Sequence, residues 1–264
     1  MRTSIILGAL LVLSSASAAH AKPGAATSIA QSLELKRTRL MSVDAANVYT
    51  IEHEGALYAT PLATGKPAKI GAGDFTTVKG LYAGGGKLVT LDKDGSLYTV
   101  NPADGVRARL GKEGEWSGTQ HAAVVDGALW SVETGGQLVK TDLASGARAT
   151  VGKPAYGSLR FVVGTAAKLF AIDGDGSLHE ISKEGAATGV GKKGDYRSVV
   201  LAAASDGKVY TVESDGTLYT TDVASGKSVA LGKGEHRWAK FLLASDGKPY
   251  TLETDGTLSA VALE

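Results

Sequence analysis

The sequence of 264 residues contains no cysteine, and that absence excludes disulfide staples, thiol catalysis, cysteine-based metal sites and a lipid-bearing cysteine near the N-terminus. Proline is sparse at 6, aromatic residues make up 6%, and charge of either sign is balanced, with 28 Lys plus Arg against 27 Asp plus Glu. A strongly basic nucleic-acid binder is therefore excluded. Long apolar runs are missing except near the start. There, Arg2, an apolar stretch from Ile5 to Leu13 and the small-residue ending Ala19-His20-Ala21 read as a signal peptide over residues 1–21, cleaved before Lys22. An apolar run of that length is too short for a helix that spans a bilayer, so no membrane span is expected after cleavage.

What is abundant is glycine, at 35 positions, within a chain that is 43% hydrophobic and 21% charged. That is the composition of a turn-rich globular protein. Self-comparison then shows six repeats, anchored at Val48, Leu88, Leu129, Leu169, Val209 and Pro249, with spacings of 40 or 41 residues. Seven residues after each anchor stands a glycine (Gly55, Gly95, Gly136, Gly176, Gly216, Gly256), and a leucine follows two residues later every time. Short β-branched and apolar runs broken by Asp-Gly or similar dipeptides are strands joined by hairpins. Each repeat holds two clear strands, a third after a turn such as Ala144-Ser145-Gly146, and a fourth before the next anchor.

Four short strands per 40 residues make one blade of a propeller. The expected fold is all-β, a six-bladed β-propeller forming a single domain over residues 22–264. The last repeat stops at Glu264 after three strands, whereas Thr27 to Gln31 aligns with the outer strand of the fifth repeat. The N-terminal strand should therefore complete the last blade, because a closed ring leaves no unpaired sheet edge.

The runs Gly207-Lys208-Val209-Tyr210, Asp215-Gly216-Thr217-Leu218-Tyr219 and Asp222-Val223-Ala224-Ser225-Gly226 resemble the quinoprotein-like (PQQ-like) repeat of six-bladed bacterial propellers. The resemblance covers nearly all of the mature chain and implies a structural pattern more than an activity. The tryptophan that ends each quinoprotein repeat is absent, so that family's cofactor is not implied and none is expected. A looser resemblance to tectonin and tachylectin-type sugar-binding propellers rests on Trp116 and Trp238.

Three repeated sets fall on the face that carries the loops entering the inner strands. Glu52, Asp92, Glu133, Asp173, Glu213 and Glu253 lie four residues after the anchors and either bind cations or hold turn amides; the turn role is the expectation. Arg39, Lys79, Arg160 and Lys240 lie nine residues before their anchors, with Gln120 and Val200 in the other two repeats. They either line the channel mouth and attract an anion or pair with the acidic ring. Phe75, Trp116, Tyr156 and Tyr196 lie thirteen residues before theirs, with His236 at that place in the last repeat and Trp238 two residues on. These rings either stack on a sugar or a partner surface or wedge between blades.

Catalytic signatures are missing: no nucleophile elbow, phosphate loop, dinucleotide fingerprint or paired histidines occur. Repetition favours weak multivalent contacts, while catalysis needs one asymmetric cluster. The sequence points to a secreted or periplasmic binding or scaffolding protein, not an enzyme, that recognises a glycan or protein partner through one face. The rival readings are a hydrolase or lactonase with its site at the channel mouth, and a purely structural envelope protein.

Overall fold

A computed structural model describes residues 22–264 apart from 85 and 154; the signal-peptide reading falls outside the described residues. The chain forms six four-stranded antiparallel sheets. In the third blade the order from the axis outward is Thr119–Val125, Ala128–Glu133, Leu138–Asp142 and Arg148–Val151. The innermost strands of the others are Thr38–Val43, Val78–Gly84, Leu159–Gly164, Val199–Ser205 and Ala239–Ser245. Each inner strand touches the inner strand of the next blade, and the sixth touches the first, so the ring is closed.

Burial follows the same circuit. The core divides into six apolar clusters, each built from two neighbouring blades. One joins Tyr49, Ile51 and Leu57 of the first blade to Phe75, Val78 and Leu81 of the second. Another joins Tyr250, Leu252 and Leu258 of the sixth to Leu35, Met41 and Val48 of the first. No blade buries its own face alone, which makes closure the condition for a continuous core.

The ends of the chain meet in blade six. Ala26–Gln31 pairs antiparallel with Thr257–Val261, as the alignment of the N-terminal segment with an outer strand requires. Gly24 N donates to Ala262 O at 2.8 Å, and Ala262 N donates to Ala25 O at 3.0 Å. In blade five the corresponding turn is covalent and carries Gly226, whose added Cβ would stand 2.6 Å from Gly191 N in the blade before. Gly24 supplies that turn glycine for blade six from the opposite end of the chain. Its φ is +83°, a conformation that glycine adopts without steric cost.

Every inner strand carries a register shift near its start, between Thr38 and Leu40 in blade one and at the equivalent place in the other five. The bulged residues are Arg39, Lys79, Gln120, Arg160, Val200 and Lys240. A bulge re-aims its side chain, and here those of Arg39, Lys79, Arg160 and Lys240 reach the backbone of the next blade.

Candidate functional site

Four of the five aromatic candidates are interior. Phe75 and Trp116 are 0% exposed, and Tyr156 and Tyr196 are also buried. Trp116 Nε1 donates to Thr141 Oγ1 at 3.1 Å, Tyr196 OH lies 3.0 Å from Thr221 Oγ1, and Tyr156 OH donates to Gly185 O at 2.6 Å. Burial pushes the phenol pKa values of Tyr156 and Tyr196 up. The guanidinium of Arg107 sits over Phe75 and that of Arg148 over Trp116, at 5.5 and 5.0 Å from the ring centroids, so intramolecular cations already cover these rings. Their role as a ligand-stacking surface is therefore corrected: they wedge between blades, because each ring fills the gap that six diverging sheets leave. Trp238 alone is open, at 63% exposure.

The cations are likewise engaged in the fold. Arg39 donates to Phe75 O at 2.9 Å and to Val78 O, and Arg160 to Arg197 O at 2.8 Å and to Val199 O. Lys79 Nζ reaches Ser117 O at 3.3 Å, and Lys240 Nζ reaches Lys36 O at 3.2 Å across the closure. Each side chain latches its blade to the backbone of the next. Neither expectation holds: the four cations do not form an open anion funnel, nor do they pair with the acidic ring. Burial lowers the pKa of Lys240.

The acidic ring draws its partners from its own blades. Asp92 pairs with Arg107 and accepts from Thr77 Oγ1 at 3.0 Å. Glu133 pairs with Arg148 at 3.2 Å and accepts from Thr119 and Ser131. Asp173 meets His179 Nε2 at 2.8 Å, and Glu52 lies 4.0 Å from Arg37. The expected turn role belongs two residues further on, where Asp94, Asp175, Asp215 and Asp255 accept from the amides of Ser96, Ser177, Thr217 and Thr257 at 2.8 to 3.0 Å. Those bonds hold the carboxyl pKa values of Asp94, Asp215 and Asp255 low, while for Asp175 the ammonium of Lys193 is the larger cause and the Ser177 bonds add to it. Glu213 and Glu253 have neither an ion pair nor a side-chain hydrogen bond among the described residues. The outer-strand place of Arg148, opposite Thr141, is taken by Ser228 in blade five and by Ala26 in blade six, so no cation reaches inward. Burial raises the pKa of Glu253, with Asp255 adding to the shift.

One sector thus departs from the repeat. In blade five the bulge carries Val200, 48% exposed, where its neighbours carry latching cations. In blade six the place of Thr77, the hydroxyl partner of Asp92, holds Trp238. Between blades six and one a single helical turn, Leu33–Lys36, lies over the hairpin of Gly256, whose added Cβ would stand 2.7 Å from Lys36 N. Thr254 N of that hairpin donates to Trp238 O at 3.0 Å. The turn presents Leu33 at 73% exposure. Leu33 carried no signal in the sequence, since the repeat pattern has no helix to compare it with.

The opposite mouth of the channel is a funnel of about 580 Å³ bordered by Asp44, Asp126, Asp206 and Asp246. Three of these carboxylates serve their own hairpins or a neighbouring lysine. Asp44 accepts from Ala46 N and Asn47 N at 2.8 and 2.7 Å, Asp126 pairs with Lys183 at 3.0 Å, and Asp206 accepts from Ser205 Oγ at 2.9 Å. The Asp-Gly pairs at 126, 206 and 246 foretell the tight turns, with positive φ at each aspartate, but not their convergence on one mouth. Among the described residues no group of His, Asp and Glu is arranged to hold a metal ion, and no helix is long and apolar enough to cross a membrane.

The family model described as PQQ_2, outer membrane protein assembly factor BamB, matches residues 72–262. No curated protein matches the sequence. A structural genomics protein of unknown function from Bacteroides thetaiotaomicron superposes with a TM-score of 0.62 at 11% identity, covering 92% of this chain and 73% of that one. Virginiamycin B lyase from Staphylococcus aureus gives 0.58 at 12% identity, covering 91% and 99%. The computationally designed Ika8 protein gives 0.53 at 18%, covering 85% and 70%. At such identities the shared property is the fold.

Proposed function

Because this chain belongs to the family of the outer membrane protein assembly factor BamB, we propose that it is a non-catalytic binding propeller that scaffolds a protein partner in the periplasm, after removal of residues 1–21. The partner docks on the face of the loops entering the inner strands, at blades five, six and one. One observation carries this reading: among the described residues, the only sector where the inter-blade latch and the acidic-ring pairing both lapse also exposes Val200, Trp238 and Leu33. At 63% exposure Trp238 leaves most of its indole open to solvent, and exposed aromatics flanked by polar rims are the usual anchors of protein interfaces. The BamB description supports a role beside other proteins of the outer membrane, and the burial of four of the five repeated rings removes the main support for a glycan surface.

The test is site-specific photo-crosslinking in intact cells, with a benzophenone amino acid placed at 238, 106 or 229. Position 106 lies on the opposite face and 229 on the outer strand of blade five, and both are exposed. A discrete adduct from 238 alone supports the reading. Adducts from 106 or 229 but not from 238, or none from any position, overturn it.

A further inference from the structure

Taking the chain as a binding propeller, we propose that this sector receives a protein segment in which an arginine or lysine stands beside an aliphatic side chain. Charge complementarity selects that occupant. Glu213 and Glu253 pair in register with Val199 and Ala239, so each stands across the ladder from the residue next in sequence to an exposed apolar group, Val200 or Trp238. Of six equivalent carboxylates these are the two with no counter-ion or hydrogen-bond donor among the described side chains. The local cations do not fill the gap: Lys240 is committed to Lys36 O, and Arg237 folds back over its own loop, its Nη2 3.7 Å from where a Gly234 Cβ would stand.

The two apolar groups belong to one surface. In blades two and four the bulge residue reaches the carbonyl twelve positions before the next anchor, Ser117 O and Arg197 O. For Val200 that carbonyl belongs to Arg237, next to Trp238. A valine cannot donate to it, so Val200 and Trp238 leave an apolar step with a carboxylate at either side. A guanidinium placed over the indole face gains a cation–π contact and a charged hydrogen bond together, and an adjacent aliphatic side chain covers Val200. An acidic segment would meet two like charges, and a purely apolar one would leave both carboxylates to be desolvated without a partner.

The experiment is selection of a randomised twelve-residue peptide display library on the full mature chain, followed by affinity measurement of the enriched peptides as synthetic probes. Enriched peptides should carry Arg or Lys adjacent to Leu, Ile or Val. Their affinity should fall about tenfold or more with Trp238→Ala, and comparably with Glu213→Gln combined with Glu253→Gln. It should weaken with added salt and stay unchanged with Val106→Ser. Circular dichroism melts of the variants separate loss of binding from loss of fold. Enrichment of acidic or uncharged peptides, binding indifferent to both glutamates, or glycan-array binding that is lost with Trp238→Ala would overturn the proposal. Peptides sensitive to Trp238 but not to the glutamates would overturn the basic-partner assignment while leaving the binding-propeller reading intact. Absence of any enrichment would overturn the proposal as well, and the crosslinking from position 238 would then decide the broader reading separately.

Discussion

Gly24 lies so close to Leu231 that a Cβ on it would stand 2.4 Å from the Leu231 carbonyl carbon. This contact joins the N-terminal segment to the outer strand of blade five, beside the place where the ring closes. Gly24→Ala must therefore either push the strand off or strain it. A control exists in Gly207, which also has positive φ (+72°) but has nothing within 4 Å of an added Cβ. Gly207→Ala should cost about 1 kcal/mol from backbone strain alone. Gly24→Ala should cost clearly more, with each additional kcal/mol lowering Tm by about 2–4 °C in a chain of this size. Equal Tm values for the two variants would mean that closure does not depend on that contact.

The latches make a second prediction with opposite signs at two positions. Arg160→Met removes donors from Val199 O and Arg197 O and should destabilise by about 1–3 kcal/mol, the cost of leaving inter-blade carbonyls without a partner. Val200→Arg places a donor where blade five lacks one and should raise Tm or leave it unchanged. The same substitution covers the proposed docking step, so it should weaken partner binding while the fold holds. Chemical denaturation read by near-ultraviolet circular dichroism, beside the peptide affinity, separates the two effects.

His236 supplies a pH dependence. It occupies the place of Phe75 and Tyr196 in its blade and is 2% exposed, but the third-strand place that Thr221 holds opposite Tyr196 is taken by Val261, which has no hydroxyl. Neither ring nitrogen has a hydrogen-bond partner among the described residues. Burial lowers its pKa from the ordinary 6.5, opposed by the Gly24 backbone and Glu235. The unfolded chain thus binds the proton more readily than the fold does. Stability contributed by neutral His236 is complete above about pH 6.5 and declines as pH falls through that value toward the lower folded-state pKa. His236→Phe reproduces the Phe75 and Val100 pairing of blade two. Denaturant midpoints between pH 5 and 7.5 should fall on acidification in the parent and fall less in the variant; identical slopes would remove His236 from the account.

The blade count, the strand pairs and the N-terminal closure were legible because each depends on local signals that repeat six times: apolar alternation, Asp-Gly hairpins and the Gly-x-Leu step. The roles of the repeated side chains were not. Arg39 and Arg160 look like channel-lining cations until the bulge at their own position is known, and a bulge leaves no mark in hydropathy. Phe75 and Trp116 look available for stacking until Arg107 and Arg148, thirty-two positions downstream in each case, are seen lying over them. Trp238 was visible as a departure from the repeat, and Val200 as a gap in the cation series. Their convergence with Glu213 and Glu253, unpaired among the described residues, emerges only when neighbouring blades are placed side by side.

The chain's three tryptophans, Trp116, Trp130 and Trp238, report on three different places, and their indole N–H resonances offer the most direct test of where a partner sits. Trp116 is sealed between blades, Trp130 lies beside Asp126 near the opposite mouth, and Trp238 is exposed on the loop face. Titration of the ¹⁵N-labelled mature chain with an enriched peptide should shift the resonance that disappears in Trp238→Phe and leave the other two in place. A shift of the Trp130 signal with the Trp238 signal unmoved would put the partner on the other face and contradict the account.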